Sequence, residues 1–224
     1  PHLRLRLHGD PHRLHRTVLP AVRDWYTRHP DLMSDMDIAT YRPETLRYGT
    51  GDTLRAAERL FHADSRTVLH QLSQQLPRRL AVTRDVLTAW NHLHLLHHLN
   101  WPQWPEWLLD TIPATSRHTL SRADRKAALH PIDPTHTRPH VLDELTPGLA
   151  PTWHGRGDAA RAYATALATT PNAPPPATIA ADLLHMHANR MHGPDREAEQ
   201  RSLALLRDIV HSHTARQRHP RRTP

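Results

Sequence analysis

The sequence predicts an α+β fold: a small, mainly antiparallel sheet covered by several amphipathic helices, with a helix-rich C-terminal half. Two observations lead to this prediction. Residues 2–8 alternate leucine with charged side chains, and residues 36–41 alternate in a similar way; this period of two is typical of a strand with one buried face. From residue 53 onwards, apolar residues recur at spacings of three and four, which indicates helices.

The predicted elements follow in order along the chain. A strand over 2–8 leads to an amphipathic helix over 11–28 that Pro30 ends, and a second strand over 36–41 leads to a turn at Gly49 and Gly51. The strongest helix covers 53–76, and its apolar stripe consists of Leu54, Ala57, Leu60, Phe61, Val68, Leu69, Leu72 and Leu76. We expect further helices over 79–99, 121–129, 158–168, 177–192 and 195–214, with Ser121 as an N-cap. The rest of the proline-rich stretch 101–151 predicts loops.

Composition limits the class of protein. The 224 residues suffice for a buried core, and we expect one domain over 1–224. The net charge is +7, yet basic residues form no long run except in 216–224, which we expect to be a disordered tail, so direct nucleic-acid binding is not predicted. The lack of cysteine fits a reducing cytoplasm, and no apolar run of about 18 residues predicts a membrane span. Because the chain opens on a strand without methionine, we expect that upstream strands are missing.

An arginine pair is the first candidate binding feature. Arg4 and Arg6 leave the same face of the predicted strand, roughly 7 Å apart, while Leu3, Leu5 and Leu7 enter a core. Two guanidiniums at that separation suit a ligand with two carboxylates. A solvated sheet face also uses arginine, so this pattern alone leaves both interpretations open.

A loop and a late helix supply the other candidates. Glu44 and Arg47 are three residues apart and form either an ion pair that pins the loop or part of a site. His185 shares a helical face with Asn189, and its ordinary pKa near neutrality suits a general acid or base. Since the chain contains 22 histidines, a surface role for any one of them is equally ordinary.

A metal centre is a weaker interpretation. His94 and His98 have the i, i+4 spacing of helical zinc ligands, but no glutamate follows His94 as a zinc-protease motif requires. Gly-rich phosphate loops are also absent from the sequence. We therefore predict no metal and no cofactor.

Four segments stand out in order along the chain: HLRLRL at 2–7, YRPETLRYG at 41–49, AERLFHADS at 57–65 and HMHANR at 185–190. In this order and spacing they resemble the C-terminal elimination domain of lantibiotic dehydratases, which also occurs alone as a thiopeptide-type bacteriocin biosynthesis protein. The resemblance implies a lyase that acts on a precursor peptide. On this resemblance, a partner enzyme would glutamylate Ser or Thr from glutamyl-tRNA, and this domain would expel glutamate by β-elimination, leaving dehydroalanine or dehydrobutyrine.

The resemblance also implies a role for each candidate. Arg4 and Arg6 match the family's arginine pair and would bind glutamate and the enolate. His185 would transfer the proton, with Glu44 orienting an arginine or sharing that task, and Arg47 belongs to the same loop motif. The family normally has further strands before the arginine pair, and this chain departs from that pattern.

Two other functions stay open. Small homologues of the same superfamily join two dehydroalanines in a formal [4+2] cycloaddition that makes the pyridine core of thiopeptides. This chain retains the full set of residues that the resemblance assigns to elimination, which favours elimination over this reaction. The set consists of Arg4, Arg6, Glu44, Arg47 and His185. Alternatively, the chain is a non-catalytic, truncated remnant that only binds the peptide. Whether it forms a homodimer is also open.

Overall fold

The computed structural model describes residues 4–32, 35–75, 82–129 and 150–218. These residues contain nine helices, counting the continuous stretch 11–28 as one, and no strand. The prediction of an α+β fold with a small sheet is therefore wrong: the described part of the chain is all-α. The residues divide into two compact units, 1–43 and 44–224, and the expectation of one domain over 1–224 stays a prediction.

Among its described residues, the first unit contains a single helix. Helix α1 (11–28) comprises Pro11–Arg13, a π-helical stretch Leu14–Val18, and Leu19–Arg28. The Asp10 carboxylate caps it by accepting the backbone N–H of Arg13 at 2.8 Å. The predicted helix over 11–28 is confirmed, although none of its residues is buried.

The two segments predicted as strands do not pair. No backbone hydrogen bond joins the described residues 4–8 to 35–43, and a strand needs such a ladder to satisfy its N–H and C=O groups. Leu5 and Leu7, predicted to enter a core, are 63% and 51% exposed. The segments do approach each other, since the Arg6 guanidinium carbon lies 5.4 Å from the ring centroid of Tyr41.

The second unit is a helical bundle built around one buried helix. Its helices are α2 (Thr45–Tyr48), α3 (Gly51–Gln75), α4 (Arg84–His97), α5 (Trp104–Thr111), α6 (Arg122–Leu129), α7 (Ala150–Ala168), α8 (Pro176–His192) and α9 (Arg196–Arg218), with a 3-10 turn at Ala114–Thr119. Every residue of α4 from Val86 to Leu96 is buried. Helices α6, α7, α8 and α9 pack on α4, and α3 packs on α7. A helix enclosed in this way lacks a solvated face.

Most of the predicted helices are present, with shifted ends. Ser121 does cap α6, because its hydroxyl accepts the N–H of Asp124 at 3.0 Å. Helix α5 lies where loops were predicted, and Leu69 of the predicted stripe is exposed. Leu76, the predicted loop at 130–149 and the last six residues of the predicted tail lie outside the described residues.

A glycine sets the turn that joins α2 to α3. Gly49 has a φ of +90°, a backbone conformation that side chains with a Cβ rarely adopt. A Cβ there would also lie 2.7 Å from Cγ2 of Thr53. The predicted turn at Gly49 is thus confirmed, and it joins the helix that carries Arg47 to helix α3. Within the described ranges, no helix is long and apolar enough to span a membrane.

Candidate active site

Arg47 forms an ion pair with Asp182 of helix α8. Its Nε and Nη2 donate to the two carboxylate oxygens of Asp182 at 2.6 and 2.5 Å, and its Nη1 donates to Glu44 at 3.3 Å. This bidentate geometry is the strong form of an arginine–carboxylate pair. The hydrogen bonds that Arg47 donates to the Asp182 carboxylate raise the pKa of Arg47 above its ordinary value, so the guanidinium is a permanent cation.

His185 lies on the same face of α8, one turn after Asp182. Its side chain is 48% exposed, and its Nδ1 lies 2.8 Å from the Glu199 carboxylate of α9. The Asn189 amide nitrogen lies 2.9 Å from its Nε2. A carboxylate only accepts, so Nδ1 carries the hydrogen and Nε2 keeps the basic lone pair, toward which the Asn189 amide donates. The Asn189 N–H therefore occupies the lone pair of Nε2 and has to move away before Nε2 can take a proton.

The structure thus connects three of the five predicted residues to one face of α8. Residues three apart on a helix are neighbours, so Asp182 holds Arg47, and through it Glu44, at a position one helical turn from His185. Arg4 and Arg6 belong to the first unit, where both are exposed. Their predicted common face on a strand is absent because no strand forms among residues 4–8.

Two site residues were not predicted from the sequence. Asp182 precedes His185 by three residues, and this helical spacing of a carboxylate and an imidazole was the available signal. Glu199 lies beyond a helix–helix turn, and only the packing of α8 on α9 brings it to His185. Asn189, predicted to share the face of His185, does so.

A buried ionic cluster fixes the opposite side of α8. Asp64 of α3 accepts hydrogen bonds from Arg156 Nη1 at 3.1 Å, His187 Nδ1 at 2.8 Å and Arg190 Nη1 at 3.0 Å. Burial by itself would raise the pKa of Asp64, but its three partners outweigh burial and lower the pKa. Burial also lowers the pKa of His187 despite the carboxylate. We therefore assign an ionised Asp64, to which His187 donates through Nδ1.

The histidines of α4 pack against α7. The rings of His94 and His98 stack with their centroids 4.2 Å apart, and a Cβ on Gly157 would lie 2.8 Å from the His98 ring. Helix α7 therefore needs glycine at this close approach. No group of three or more His, Asp or Glu side chains among the described residues is placed to hold a metal ion.

Comparison with known proteins identifies the family. Residues 1–210 match the family described as lantibiotic biosynthesis dehydratase C-term, and the chain belongs to that family. It is similar to the subtilin biosynthesis protein SpaB of Bacillus subtilis, with 24% identity over 218 residues that cover 95% of this chain and 21% of SpaB.

A solved structure shows the same fold. The crystal structure of the tRNA-dependent lantibiotic dehydratase MibB from Microbispora sp. 107891 matches with a TM-score of 0.77 and 24% identity, over 94% of this chain and 23% of that chain. The chain thus spans about a fifth to a quarter of the length of these relatives. The predicted membership in the lantibiotic dehydratase C-terminal family is confirmed.

Proposed function

We propose that this chain is a lyase that eliminates glutamate from glutamylated Ser or Thr side chains of a precursor peptide. The observation that carries the proposal is the exposed imidazole of His185, held by Glu199 on the helix face that also binds Arg47. Membership in the dehydratase C-terminal family supports the same reaction. The product is a peptide with dehydroalanine or dehydrobutyrine.

His185 is the proposed base. Its Nε2 removes the α-hydrogen, the electrons of that C–H bond form the Cα–Cβ double bond, and the Cβ–O bond breaks so that the oxygen leaves with glutamate. The peptide displaces the Asn189 amide from Nε2 as it binds. Glu199 stabilises the imidazolium that forms, because it accepts the Nδ1 hydrogen in both protonation states.

Cationic groups would stabilise the negative charge that develops. We assign Arg4 and Arg6 to the leaving glutamate and the enolate, as the family resemblance implies. Arg47 adds a fixed positive charge beside His185, and Glu44 orients it through the hydrogen bond at Nη1. A preorganised cation of this kind lowers the barrier because it needs no rearrangement as charge appears.

The substrate requires a second activity. A partner enzyme that uses glutamyl-tRNA would glutamylate the precursor peptide before this domain acts. We place both steps in the cytoplasm, where aminoacylated tRNA is available. Neither a metal nor an organic cofactor takes part in the proposed elimination.

Mass spectrometry of a glutamylated precursor peptide tests the proposal. The chain should convert the ester to a dehydro residue with release of glutamate, and His185→Ala and Arg6→Ala should leave the glutamylated peptide unchanged. His62→Ala is the control, because His62 is an exposed histidine on α3 and its loss should not affect turnover. Unchanged peptide with the wild-type chain, or full turnover by His185→Ala, contradicts the proposal.

A second substrate separates the alternatives. If glutamate is not released, the same chain is given a peptide with two dehydroalanines. Formation of a pyridine would indicate the cycloaddition enzyme. Binding of the peptide without any product would indicate the non-catalytic remnant.

A further inference from the structure

The interior of the second unit holds a guanidinium with two unsatisfied nitrogens. The Arg156 side chain is 0% exposed, and its Nη1 donates to Asp64 at 3.1 Å. Its Nε and Nη2 are buried and have no hydrogen-bond acceptor among the described residues. The N–H groups of Nε and Nη2 point in parallel from one edge of the guanidinium, which is the fork that takes up an anion side-on.

The charges around Arg156 do not balance. Asp64 provides one negative charge, and it is shared between two guanidiniums, those of Arg156 and Arg190. His187 can add positive charge but not negative charge, so at least one positive charge remains at the cluster. Arg190 is 19% exposed and reaches water, whereas Arg156 has no exposed surface. A cation enclosed in this way is unfavourable without full compensation, so the position of Arg156 favours a further negative group.

A second unsatisfied donor lies close to this fork. Trp153 precedes Arg156 by one helical turn on α7, and its ring centroid lies 5.5 Å from the Arg156 guanidinium carbon. Its indole N–H is buried and also lacks an acceptor in the described part of the chain. Unlike the imidazoles nearby, an indole N–H and a guanidinium can only donate. Any ligand of these donors must therefore be a hydrogen-bond acceptor.

We propose that the Nε–Nη2 edge of Arg156 binds a small inorganic anion, chloride in size, inside the bundle. The anion would accept hydrogen bonds from the fork and balance the extra positive charge of the Asp64 cluster. Because the Arg156 side chain is 0% exposed, we take the ligand to be a small ion. The site lies apart from His185 on the other side of α8, so it stabilises the fold and takes no part in the proposed elimination.

Urea unfolding at constant ionic strength tests the proposal. Chloride is varied against gluconate, a much larger organic anion. One-site linkage predicts that the unfolding equilibrium constant falls about tenfold for each tenfold rise in chloride once the site is near saturation. Arg156→Met should abolish this dependence. Arg161→Met is the matched control, because Arg161 lies on the same helix but is exposed, and it should keep the dependence.

A crystallographic measurement covers the case in which Arg156→Met does not fold. Crystals of the wild-type chain soaked in bromide should show an anomalous peak within hydrogen-bond distance of Arg156 Nε and Nη2. Equal stability in chloride and gluconate overturns the proposal. A chloride dependence that persists in Arg156→Met, or the absence of anomalous density at the fork, also overturns it.

Discussion

Replacing Asp64 with asparagine should strongly destabilise the second unit. Asp64 is 4% exposed and accepts three hydrogen bonds of 2.8 to 3.1 Å. Asparagine keeps the side-chain shape but removes the charge, so no cavity forms and Arg156 is left as a buried cation. Removing one partner of a buried ion pair costs about 3–5 kcal/mol. That loss is a large part of the roughly 5–15 kcal/mol by which a protein of this kind is stable.

The assay is urea unfolding at neutral pH, followed by far-ultraviolet circular dichroism. The control is Asp158→Asn, because Asp158 and its partner Arg161 are both largely exposed on α7. An exposed pair contributes about 0–1 kcal/mol, so the control should unfold close to the wild type. A free energy of unfolding for Asp64→Asn within about 1 kcal/mol of the wild type would refute the argument that Asp64 neutralises buried cations.

Two further changes test other parts of the fold. Burial lowers the pKa of His98 to about 4 and also lowers that of His187. Below a pH of about 6.5 the unfolded chain therefore binds protons that the folded chain does not. The free energy of unfolding should fall by up to about 1.4 kcal/mol per pH unit for each of these groups as the pH drops. In urea titrations from neutral to mildly acidic pH, His98→Gln should show a weaker pH dependence, and an unchanged dependence would contradict this assignment. Gly49→Ala should lower the free energy of unfolding by about 1–3 kcal/mol through backbone strain. The loss should exceed that of Gly193→Ala, because both glycines have positive φ but only at Gly49 would a Cβ meet Thr53. Equal losses would show that the contact with Thr53 is unimportant.

The helices show how far local pattern predicts this fold. The apolar spacing in 53–76 corresponds to α3, and the Ser121 hydroxyl caps α6 as predicted. These signals act within one or two turns, so they can be read without the tertiary structure. Leu69 fits the same spacing, yet it is exposed. Periodicity places a residue on a face of the helix, but it does not state how much of that face other helices cover.

The predicted sheet shows where local pattern is insufficient. The alternation in 2–8 and 36–41 is compatible with strands. A strand also needs backbone hydrogen bonds to a neighbouring segment, and none of these bonds forms between the two segments among the described residues. The candidate site was predicted only in part, because local pattern does not report contacts between distant segments. Glu44, Arg47 and His185 stand in motifs, whereas Glu199 reaches His185 only through helix packing.

The sequence by itself determined the helical segments, the glycine turn and the family, because each of these depends on residue types at short spacing or on ordered motifs. The tertiary structure alone decided which charges meet. Asp182 joins Arg47 across 135 residues, and Asp64 gathers Arg156, His187 and Arg190 from two other helices. Ion pairs of this kind arise where helices pack, and the local sequence does not state which distant residue will be the partner.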